Sequence, residues 1–373
     1  MILGIDGYFM CGKRTGMGVM LENILCRWNS NSFKKTILFI PSKSTNEKIE
    51  LIKEMGVEIV EGPDKNFALW EQIILPHLAK KNNVDSMWFP YNTGSVLWRG
   101  KTIVTIHDLI YMHSDLKKQP SLYNFFGTIY RRSVVPIMVK KAERILMSSK
   151  TSKKELIREF EDSKEKIRVI YCSCEENNEC IKYEEWEGFR EKYNLGKYIL
   201  AFGSNAPRKN TLRNIQAFEK VLCEQKMDYK LVLFGFKNWR ESESFLYAKD
   251  KELLDKIVFL EYISEKEKNT LYANAELFLF TSTEEGFGIP ILEAFKMGTN
   301  VITSNTTSMP EIAGDAALLI DPYSVENISN AVSRIITMNI KEREALKRKG
   351  KERLLFFSWN NIVLAAERAI IEC

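Results

Sequence analysis

The chain has 373 residues, of which 45% are hydrophobic and 28% are charged, and its formal net charge is +5 at pH 7. These values are typical of a globular protein with room for two domains, and they exclude a collagenous, low-complexity or intrinsically disordered chain. The seven cysteines lack a zinc-knuckle or disulfide-module spacing, so we expect reduced thiols and no metal site. No run approaches the roughly 18 apolar residues of a membrane span, and no signal-peptide pattern opens the chain, so a cytoplasmic location is expected.

Strand and helix patterns alternate along the chain, which predicts an α/β protein with parallel sheets covered by helices. The predicted strands of the first half are 2–6, 36–40, 57–60, 86–89, 102–106, 144–148 and 167–171. Those of the second half are 198–202, 230–234, 257–260, 277–280, 300–303 and 317–320. Helical patterns include 18–28, 67–81, 121–141, 153–160, 325–338, 341–356 and 359–371.

An acidic stretch with three cysteines interrupts this series and divides the chain. It predicts an N-terminal domain over 1–172, a linker over 173–187 and a C-terminal domain over 188–356. Residues 1–170 carry 27 Lys and Arg against 18 Asp and Glu, largely as adjacent basic pairs. This excess fits an anionic lipid surface or a phosphorylated acceptor, and equally the solvated faces of ordinary helices. No nucleic-acid-binding module is recognised.

Residues 284–298, EEGFGIPILEAFKMG, form the most informative motif. A buried-strand pattern precedes a glycine turn, and Pro290 fits the first turn of the helix that follows. We expect Glu285 at the carboxyl end of the strand, where open α/β sheets bind ligands, and Glu293 in the first helical turn. Carboxylates without a basic partner suit sugar hydroxyls, which donate hydrogen bonds. The alternative is a βα turn with two solvated glutamates.

This motif resembles the donor-sugar motif of the retaining nucleotide-sugar glycosyltransferases of glycosyltransferase family 4, and within it the mannosyltransferases of bacterial surface polysaccharide. The resemblance implies the GT-B fold, in which two Rossmann-like domains with parallel sheets face each other across a cleft. It implies that Glu293 binds the ribose hydroxyls. It also implies that Glu285 and the backbone at Phe287, Gly288 and Ile289 hold the transferred sugar.

A cation pair follows the strand that ends near Gly203, in the sequence AFGSNAPRKNTLRNI. Arg208 can hold a diphosphate through two oxygens, and Lys209 adds a point charge. The segment resembles the family's Arg-Lys-Asn triplet, which implies that both cations bind the donor diphosphate and stabilise it as it leaves. The alternative is a solvated basic turn.

Two segments of the N-terminal half also resemble the family. Gly16 and Gly18 follow the first strand, and in the family such glycines face the donor diphosphate. His107 and Asp108 follow the strand at 102–106, and in the family the histidine lines the donor-sugar pocket. A structural strand-end histidine is the alternative.

The segment TSNTTSMPEIAGDA resembles the part of the family that lies beside the diphosphate. Thr306, Thr307 and Ser308 would donate to phosphate oxygens there, or they would cap the helix that follows.

The resemblance of these segments to the family implies a retaining, metal-independent hexosyltransferase without a cofactor. The resemblance places the nucleotide-sugar donor in the C-terminal domain and a glycan or lipid-linked acceptor in the N-terminal one, to which a helix at about 357–373 returns. GDP-mannose is the first expected donor, and peripheral contact with an anionic membrane surface is a further expectation. A catalytically silent sugar-nucleotide-binding partner, or a GT-B nucleotide-sugar epimerase, remains open. Cys172–Glu175 and Glu261 depart from the family pattern, and the second departure leaves the base undetermined.

Overall fold

The computed structural model describes residues 1–11, 16–42, 46–115, 122–225 and 228–373. The chain forms two compact units. Unit 1 comprises Met1–Ser173 and Phe357–Cys373, and unit 2 comprises Cys174–Phe356.

Unit 1 is built on a parallel seven-stranded sheet in the order β3-β2-β1-β4-β5-β6-β7. Its inner strands are buried on both faces, which is why they read as continuous apolar runs in the sequence. The strands are β1 Ile2–Asp6, β2 Lys35–Pro41, β3 Val57–Gly62, β4 Ser86–Phe89, β5 Lys101–Ile106, β6 Arg144–Met147 and β7 Ile167–Val169.

Helices cover the sheet of unit 1. They are α1 Gly16–Leu25, α2 Ile49–Glu54, α3 Phe67–Leu69, α4 Leu75–Lys81, α5 Ile110–His113, α6 Leu122–Lys141, α7 Lys150–Glu159 and, from the end of the chain, α16 Trp359–Ile371. A π-helical segment, Trp70–Ile74, joins α3 to α4. Pro76 follows it, and a proline inside a helix lacks the amide hydrogen and crowds the carbonyl four residues earlier, so the regular ladder is broken there.

Unit 2 repeats the architecture with a parallel six-stranded sheet in the order β10-β9-β8-β11-β12-β13. Its strands are β8 Lys197–Phe202, β9 Tyr229–Phe234, β10 Ile257–Leu260, β11 Leu277–Phe280, β12 Val301–Ser304 and β13 Ala317–Ile320. Its helices are α8 Tyr183–Lys192, α9 Thr211–Gln225, α10 Glu243–Asp250, α11 Glu265–Asn274, α12 Ile289–Lys296, α13 Met309–Ala313, α14 Val325–Thr337 and α15 Ile340–Phe356.

The strand order of each sheet reverses direction once. In unit 1 the reversal lies between β1 and β4, and in unit 2 it lies between β8 and β11. At such a point the loops that leave neighbouring strands run to opposite faces, so a crevice opens at the carboxyl ends. The two predicted loops with Arg208, Lys209 and Glu285 leave β8 and β11, the strands on either side of the reversal in unit 2.

The prediction of parallel-sheet α/β domains is confirmed, with every predicted strand present to within two residues at each end. The stretch predicted as a linker over 173–187 overlaps α8, which begins at Tyr183. Cys172 and Cys174 are buried, and burial raises the pKa of each thiol to about 12, whereas Cys180 is exposed.

One stretch, within Ile340–Ile371, has the length and mean hydropathy (1.3) of a membrane span, which the sequence analysis did not expect. It comprises two helices, because Ser358 caps α16 through the amide of Asn361 and so starts a new helix after α15. Within unit 1, Arg144 donates to the carbonyls of Ala369 and Glu372, and one face of α16 is buried. A buried core helix passes the same test of length and composition, so the finding is weak evidence for a span.

Candidate functional site

A rigid turn presents Arg208 and Lys209 after β8. They lie in the short helical turn Pro207–Lys209, which ends at Asn210 in the left-handed conformation (φ 62°). The buried amide group of Asn210 donates to the carbonyls of Thr281 and Pro322, and the carbonyl of Arg208 accepts from the amide of Thr283. The two loops of the strand reversal are thereby fastened to each other.

Glu285 lies between the two cations. Its Oε1 is 3.1 Å from Nη1 of Arg208 and 2.5 Å from Nζ of Lys209. Nη1 of Arg208 also donates to the carbonyl of Glu284 at 3.2 Å. Three charged groups therefore meet at the carboxyl ends of β8 and β11 with a net charge of +1.

Lys209 is held against aromatic rings as well as against Glu285. Its Nζ lies 5.0 Å from the ring centre of Phe202 and 5.3 Å from that of Phe280, at distances typical of cation–π contacts. Burial lowers the pKa of Lys209 below its ordinary value, and the charge of Glu285 offsets part of this effect. A partly desolvated ammonium group is strongly attracted to an anion, because little water screens it.

The glycine turn leads into α12 as predicted, but Glu293 lies one turn further along than expected. Gly288 is the N-cap residue, with φ of 116°, which only glycine adopts without strain. Ile289 opens the helix and Pro290 occupies its first turn. Glu293 is the fifth helical residue, so the prediction that it lies in the first turn is wrong. The helix begins at Ile289, before the first residue with clear helical spacing, and this earlier start moves Glu293 into the second turn.

Both glutamates have basic partners, which the sequence analysis did not expect. Glu285 has Arg208 and Lys209, and Glu293 accepts from Nζ of Lys268 at 2.8 Å and from the hydroxyl of Tyr272 at 3.1 Å. Burial alone lowers the pKa of Lys268, but Glu293 beside it raises that pKa above its ordinary value. The partners of Glu293 come from α11, 25 and 21 residues away in the sequence, and those of Glu285 come from the turn after β8, so local spacing could not reveal them.

The hydroxyl groups after β12 hold the glycine turn in place. Thr306 donates to the carbonyl of Thr283 at 3.0 Å, and Thr307 accepts from the amide of Glu285 at 3.2 Å. The hydroxyl of Ser308 lies 2.9 Å from the carbonyl of Glu285 and 2.7 Å from that of Phe287. None of them makes the capping hydrogen bond on α13 that was one of the two alternatives. Thr307 has φ of 50°, a costly conformation for a β-branched residue.

Gly203 is required by packing rather than by conformation. Its amide donates to the carbonyl of Phe234 at 2.9 Å, and a Cβ atom there would lie 2.8 Å from the side chain of Phe236. A larger residue would displace the loop that carries the cations.

His107 lies in unit 1, after β5, and its ring is fixed by the backbone. Its Nε2 is 2.9 Å from the carbonyl of Pro90, and its amide donates to the side chain of Asn92 at 2.6 Å. A carbonyl oxygen only accepts, so Nε2 carries the proton and the neutral ring has its acceptor at Nδ1. Burial lowers the pKa of His107, which favours this neutral form.

The other predicted residues of unit 1 have local roles. Asp108 accepts from the amide of Ile110 at the start of α5. The described part of α1 begins at Gly16, which is exposed, and Gly18 is buried in its first turn. Residues 12–15, which precede Gly16, lie outside the described residues. Nowhere in the described ranges do three or more His, Cys, Asp or Glu side chains lie close enough to hold a metal ion.

No sequence motif indicated the roles of Lys268 and Tyr272 in unit 2 or of Asn92 in unit 1. A capping box at Ser264 and Glu267 signals the start of α11 and so places Lys268 on a helix. Its pairing with Glu293 depends on the tertiary structure alone.

Comparison with known proteins identifies the family and the fold. The family described as glycosyl transferases group 1 matches residues 182–353. O-antigen chain mannosyltransferase B of Escherichia coli is 33% identical over 266 residues, which cover 70% of this chain and 68% of that protein. Serotype-specific mannosyltransferase WbdA of Escherichia coli is 28% identical over 283 residues, but the match spans only 34% of WbdA. The crystal structure of HepE from Anabaena in complex with UDP has a TM-score of 0.71 over the whole of both chains, at 16% identity, and this likeness shows the fold alone.

Proposed function

This chain belongs to the group 1 glycosyl transferases, and we propose that it moves a hexose from a nucleoside-diphosphate sugar to a glycan or lipid-linked acceptor, with retention of the anomeric configuration and without a divalent metal. The observation that carries the proposal is the meeting of Arg208, Lys209 and Glu285 at the strand reversal of unit 2. The membership predicted from the motifs is confirmed, and the GT-B fold with it.

Arg208 and Lys209 would bind the diphosphate of the donor. Charge on the leaving diphosphate grows as the glycosidic bond breaks, and fixed cations stabilise it more than they stabilise the bound donor. Phosphate oxygens would compete with Glu285 for both cations, since the carboxylate already occupies them. The positive charges of Arg208 and Lys209 would take the place of the divalent ion that other enzymes use to bind a diphosphate.

Glu285 and the backbone at Phe287, Gly288 and Ile289 would hold the transferred sugar. Thr306 and Thr307 would contribute indirectly, because their hydroxyl groups hold this turn in position. Gly203 would likewise allow the loop with Arg208 and Lys209 to keep its position. Glu293 would accept from the ribose hydroxyls. A carboxylate has about four acceptor sites, so its bonds to Lys268 and Tyr272 leave capacity for them.

From unit 1, His107 would contribute Nδ1 as an acceptor for a hydroxyl of the transferred sugar. The carbonyl of Pro90 fixes the tautomer that makes this possible. Asp108 would support the turn after His107, and the amides at Gly16 and Gly18 would face the diphosphate.

The names of the relatives suggest which sugar donor the protein uses and in which biosynthetic process it takes part. Two of them are named mannosyltransferases, one of them for the O-antigen chain, so we expect GDP-mannose and a role in surface polysaccharide synthesis. Such a donor is cytoplasmic, so we place the protein in the cytoplasm, in peripheral contact with the inner face of the membrane.

The test combines binding with product analysis. A thermal-shift panel of nucleoside diphosphates should show stabilisation, with GDP expected to be strongest. Purified protein, GDP-mannose and a mannose-terminated acceptor should then give a glycoside whose anomeric configuration, read by NMR, matches the donor. Binding without hydrolysis or transfer of any donor would support a silent partner protein, and an isomerised nucleotide sugar would support an epimerase.

A further inference from the structure

The carboxylate of Glu293 is held at both of its oxygens by side chains of α11. Nζ of Lys268 lies 2.8 Å from Oε1 of Glu293, and the hydroxyl of Tyr272 lies 3.1 Å from Oε2. Lys268 and Tyr272 are one helical turn apart, so they lie on the same face of α11 and reach a single residue of α12. The carboxylate therefore cannot turn without losing one of these two bonds.

The core of unit 2 fixes the position of Tyr272. Its side chain is fully buried, and its ring meets that of Phe278 in β11 at 4.9 Å and that of Phe234 in β9 at 5.7 Å, edge to face in both pairs. Its carbonyl accepts from the hydroxyl of Thr299 at 2.6 Å, just before β12. The packing of the sheet thus directs the hydroxyl group that Oε2 of Glu293 accepts from.

A second carboxylate fixes the position of Lys268. Its Nζ lies 2.9 Å from Oε2 of Glu265, one turn earlier in α11. The capping box of Ser264 and Glu267 holds the first turn of this helix. The side chains of Lys268 and Glu293 are only 18% and 17% exposed, so water screens their attraction weakly. This ion pair therefore holds Oε1 in a defined place, as an exposed surface pair does not.

This arrangement leaves acceptor sites on both oxygens of Glu293. A carboxylate has about four lone-pair sites, two on each oxygen, and the contacts with Lys268 and Tyr272 use one on each. Two neighbouring hydroxyl groups, such as the 2′- and 3′-hydroxyls of ribose, can donate to the two oxygens at once. Both bonds form well only when the plane of the carboxylate is fixed, because a rotation that aligns one oxygen moves the other away.

We propose that Lys268 and Tyr272 are positioning residues, which orient Glu293 so that it accepts from both ribose hydroxyls of the donor together. The inference rests on the ribose contact proposed for Glu293. Neither residue needs to touch the nucleotide, since both act through the carboxylate. A preorganised carboxylate loses little entropy on binding, and it favours a ribonucleotide over a 2′-deoxyribonucleotide, which offers one hydroxyl instead of two.

The alternative is an ion pair that only fastens α11 to α12. Loss of such a pair would lower the stability of unit 2, and any effect on binding would weaken ribonucleotides and deoxyribonucleotides alike. The ratio of the two affinities therefore separates a positioning role from a purely structural one.

The test compares GDP with 2′-deoxy-GDP by calorimetry, or the same pair of nucleotides with the base that the thermal-shift panel ranks first. The unmodified protein should bind the ribonucleotide about tenfold or more tightly, the scale of one hydrogen bond to a charged group. Glu293→Ala should abolish this preference, because the carboxylate that senses the second hydroxyl is gone.

Lys268→Met and Tyr272→Phe each remove one donor and keep the carboxylate and most of the side-chain volume. Each should lower the ratio of affinities about threefold or more, the scale of one net hydrogen bond. Lys266→Met is the matched control and should leave the ratio unchanged. Lys266 belongs to the same helix and pairs with Glu179 at 3.0 Å, but it lies on a different face from Lys268.

A double variant tests whether Lys268 acts through Glu293. In the Glu293→Ala background, Lys268→Met should leave the affinity for GDP unchanged, because no carboxylate remains to be oriented. A further loss of affinity in the double variant would show that Lys268 contacts the nucleotide directly, and this would overturn the positioning role.

The outcomes for the two proposals differ. A ratio that Lys268→Met and Tyr272→Phe leave unchanged overturns the positioning role, while the proposed function stands. Equal binding of GDP and 2′-deoxy-GDP by the unmodified protein overturns the ribose contact of Glu293 and the positioning role with it. Failure to bind any nucleoside diphosphate overturns the proposed function as well.

Discussion

Lys209 shows how a single residue can be placed for an anion by its neighbours. Two strand-end rings flank it, and Glu285 balances its charge until a stronger anion competes. Arg208 shares the same carboxylate oxygen but is more exposed. The two cations therefore differ in desolvation, although they are adjacent in sequence.

Lys209→Ala and Arg208→Ala should each lower kcat by about 10²-fold or more, the scale of one lost charge-stabilising donor. The reason is that both cations meet charge that develops on the diphosphate. Steady-state kinetics checks this, with Lys237→Ala as an exposed basic control in the loop after β9. Near-normal kcat in both variants would place the diphosphate elsewhere.

Glu293→Ala should weaken the binding of nucleoside diphosphate more than it slows the bound step. A ribose contact is similar in the ground state and the transition state, so its loss mainly raises KM. Isothermal calorimetry provides the affinity. Lys268→Met removes the partner of Glu293 but keeps the carboxylate, and it should cost less. Unchanged nucleotide affinity in Glu293→Ala would contradict the ribose role.

At the scale of elements, the end of β1 and the π-helical segment enclose two buried carboxyl groups. Burial raises the pKa of Asp6 to about 6 and that of Glu71 to about 8. Hydrogen bonds to each carboxyl group lower its pKa and offset part of this effect. The negative charge of Asp6 further raises the pKa of Glu71. A π-helical turn inside a longer helical segment is often found at functional sites.

This pair predicts that the protein loses stability as pH rises. Both groups keep their proton in the folded state at pH values where the unfolded chain has already released it, so unfolding free energy falls with pH. The pH range of this loss begins near 4, the ordinary pKa of a carboxyl group, and extends to about pH 6 for Asp6 and about pH 8 for Glu71. Thermal denaturation between pH 6 and 8.5 should therefore show a falling Tm. Glu71→Gln should flatten that fall, and an equally steep fall in the variant would show that other groups cause it.

At the scale of the whole molecule, the surplus of basic residues in unit 1 is partly used inside the fold. Arg132 donates to the carbonyls of Tyr111 and Ser114, and Lys141 donates to those of Ser95 and Val96. Lys35 pairs with Glu58. Unit 1 also has an exposed apolar series on one face of α6, formed by Leu122, Phe126 and Ile129.

We expect unit 1 to bind anionic vesicles in a salt-sensitive way. Each basic residue near the lipid surface contributes about 1 kcal/mol, and the attraction decays within about 10 Å at 0.1 M salt. Sedimentation with vesicles should show binding that weakens steeply between about 50 and 300 mM salt.

Charge reversal tests the origin of that binding. Lys117 and Lys118 lie outside the described residues, and reversal of this pair should weaken binding. Arg131 and Arg132 are a poorer choice, because Arg132 fastens the end of α5. Lys249→Glu is the control in unit 2. An absence of binding even at low salt would favour a soluble acceptor.

Activity should survive EDTA, because Arg208 and Lys209 are proposed to meet the diphosphate charge that a divalent ion would otherwise meet. The measurement is transfer or donor hydrolysis before and after chelation. Full loss, restored by Mg²⁺ or Mn²⁺, would contradict the metal-independent mechanism.

Local sequence patterns were sufficient to predict the helices and strands and to identify the motif residues. Continuous apolar runs, glycine turns and the order of strand and helix are local properties, so they predicted both sheets and placed Arg208, Lys209, Glu285 and His107 at strand ends. The tertiary structure alone decided which charges meet: Glu285 between two cations and Glu293 beside Lys268. The physical reason is that hydrogen bonds and ion pairs between distant elements depend on strand order and helix packing, which the local spacing of residues does not encode.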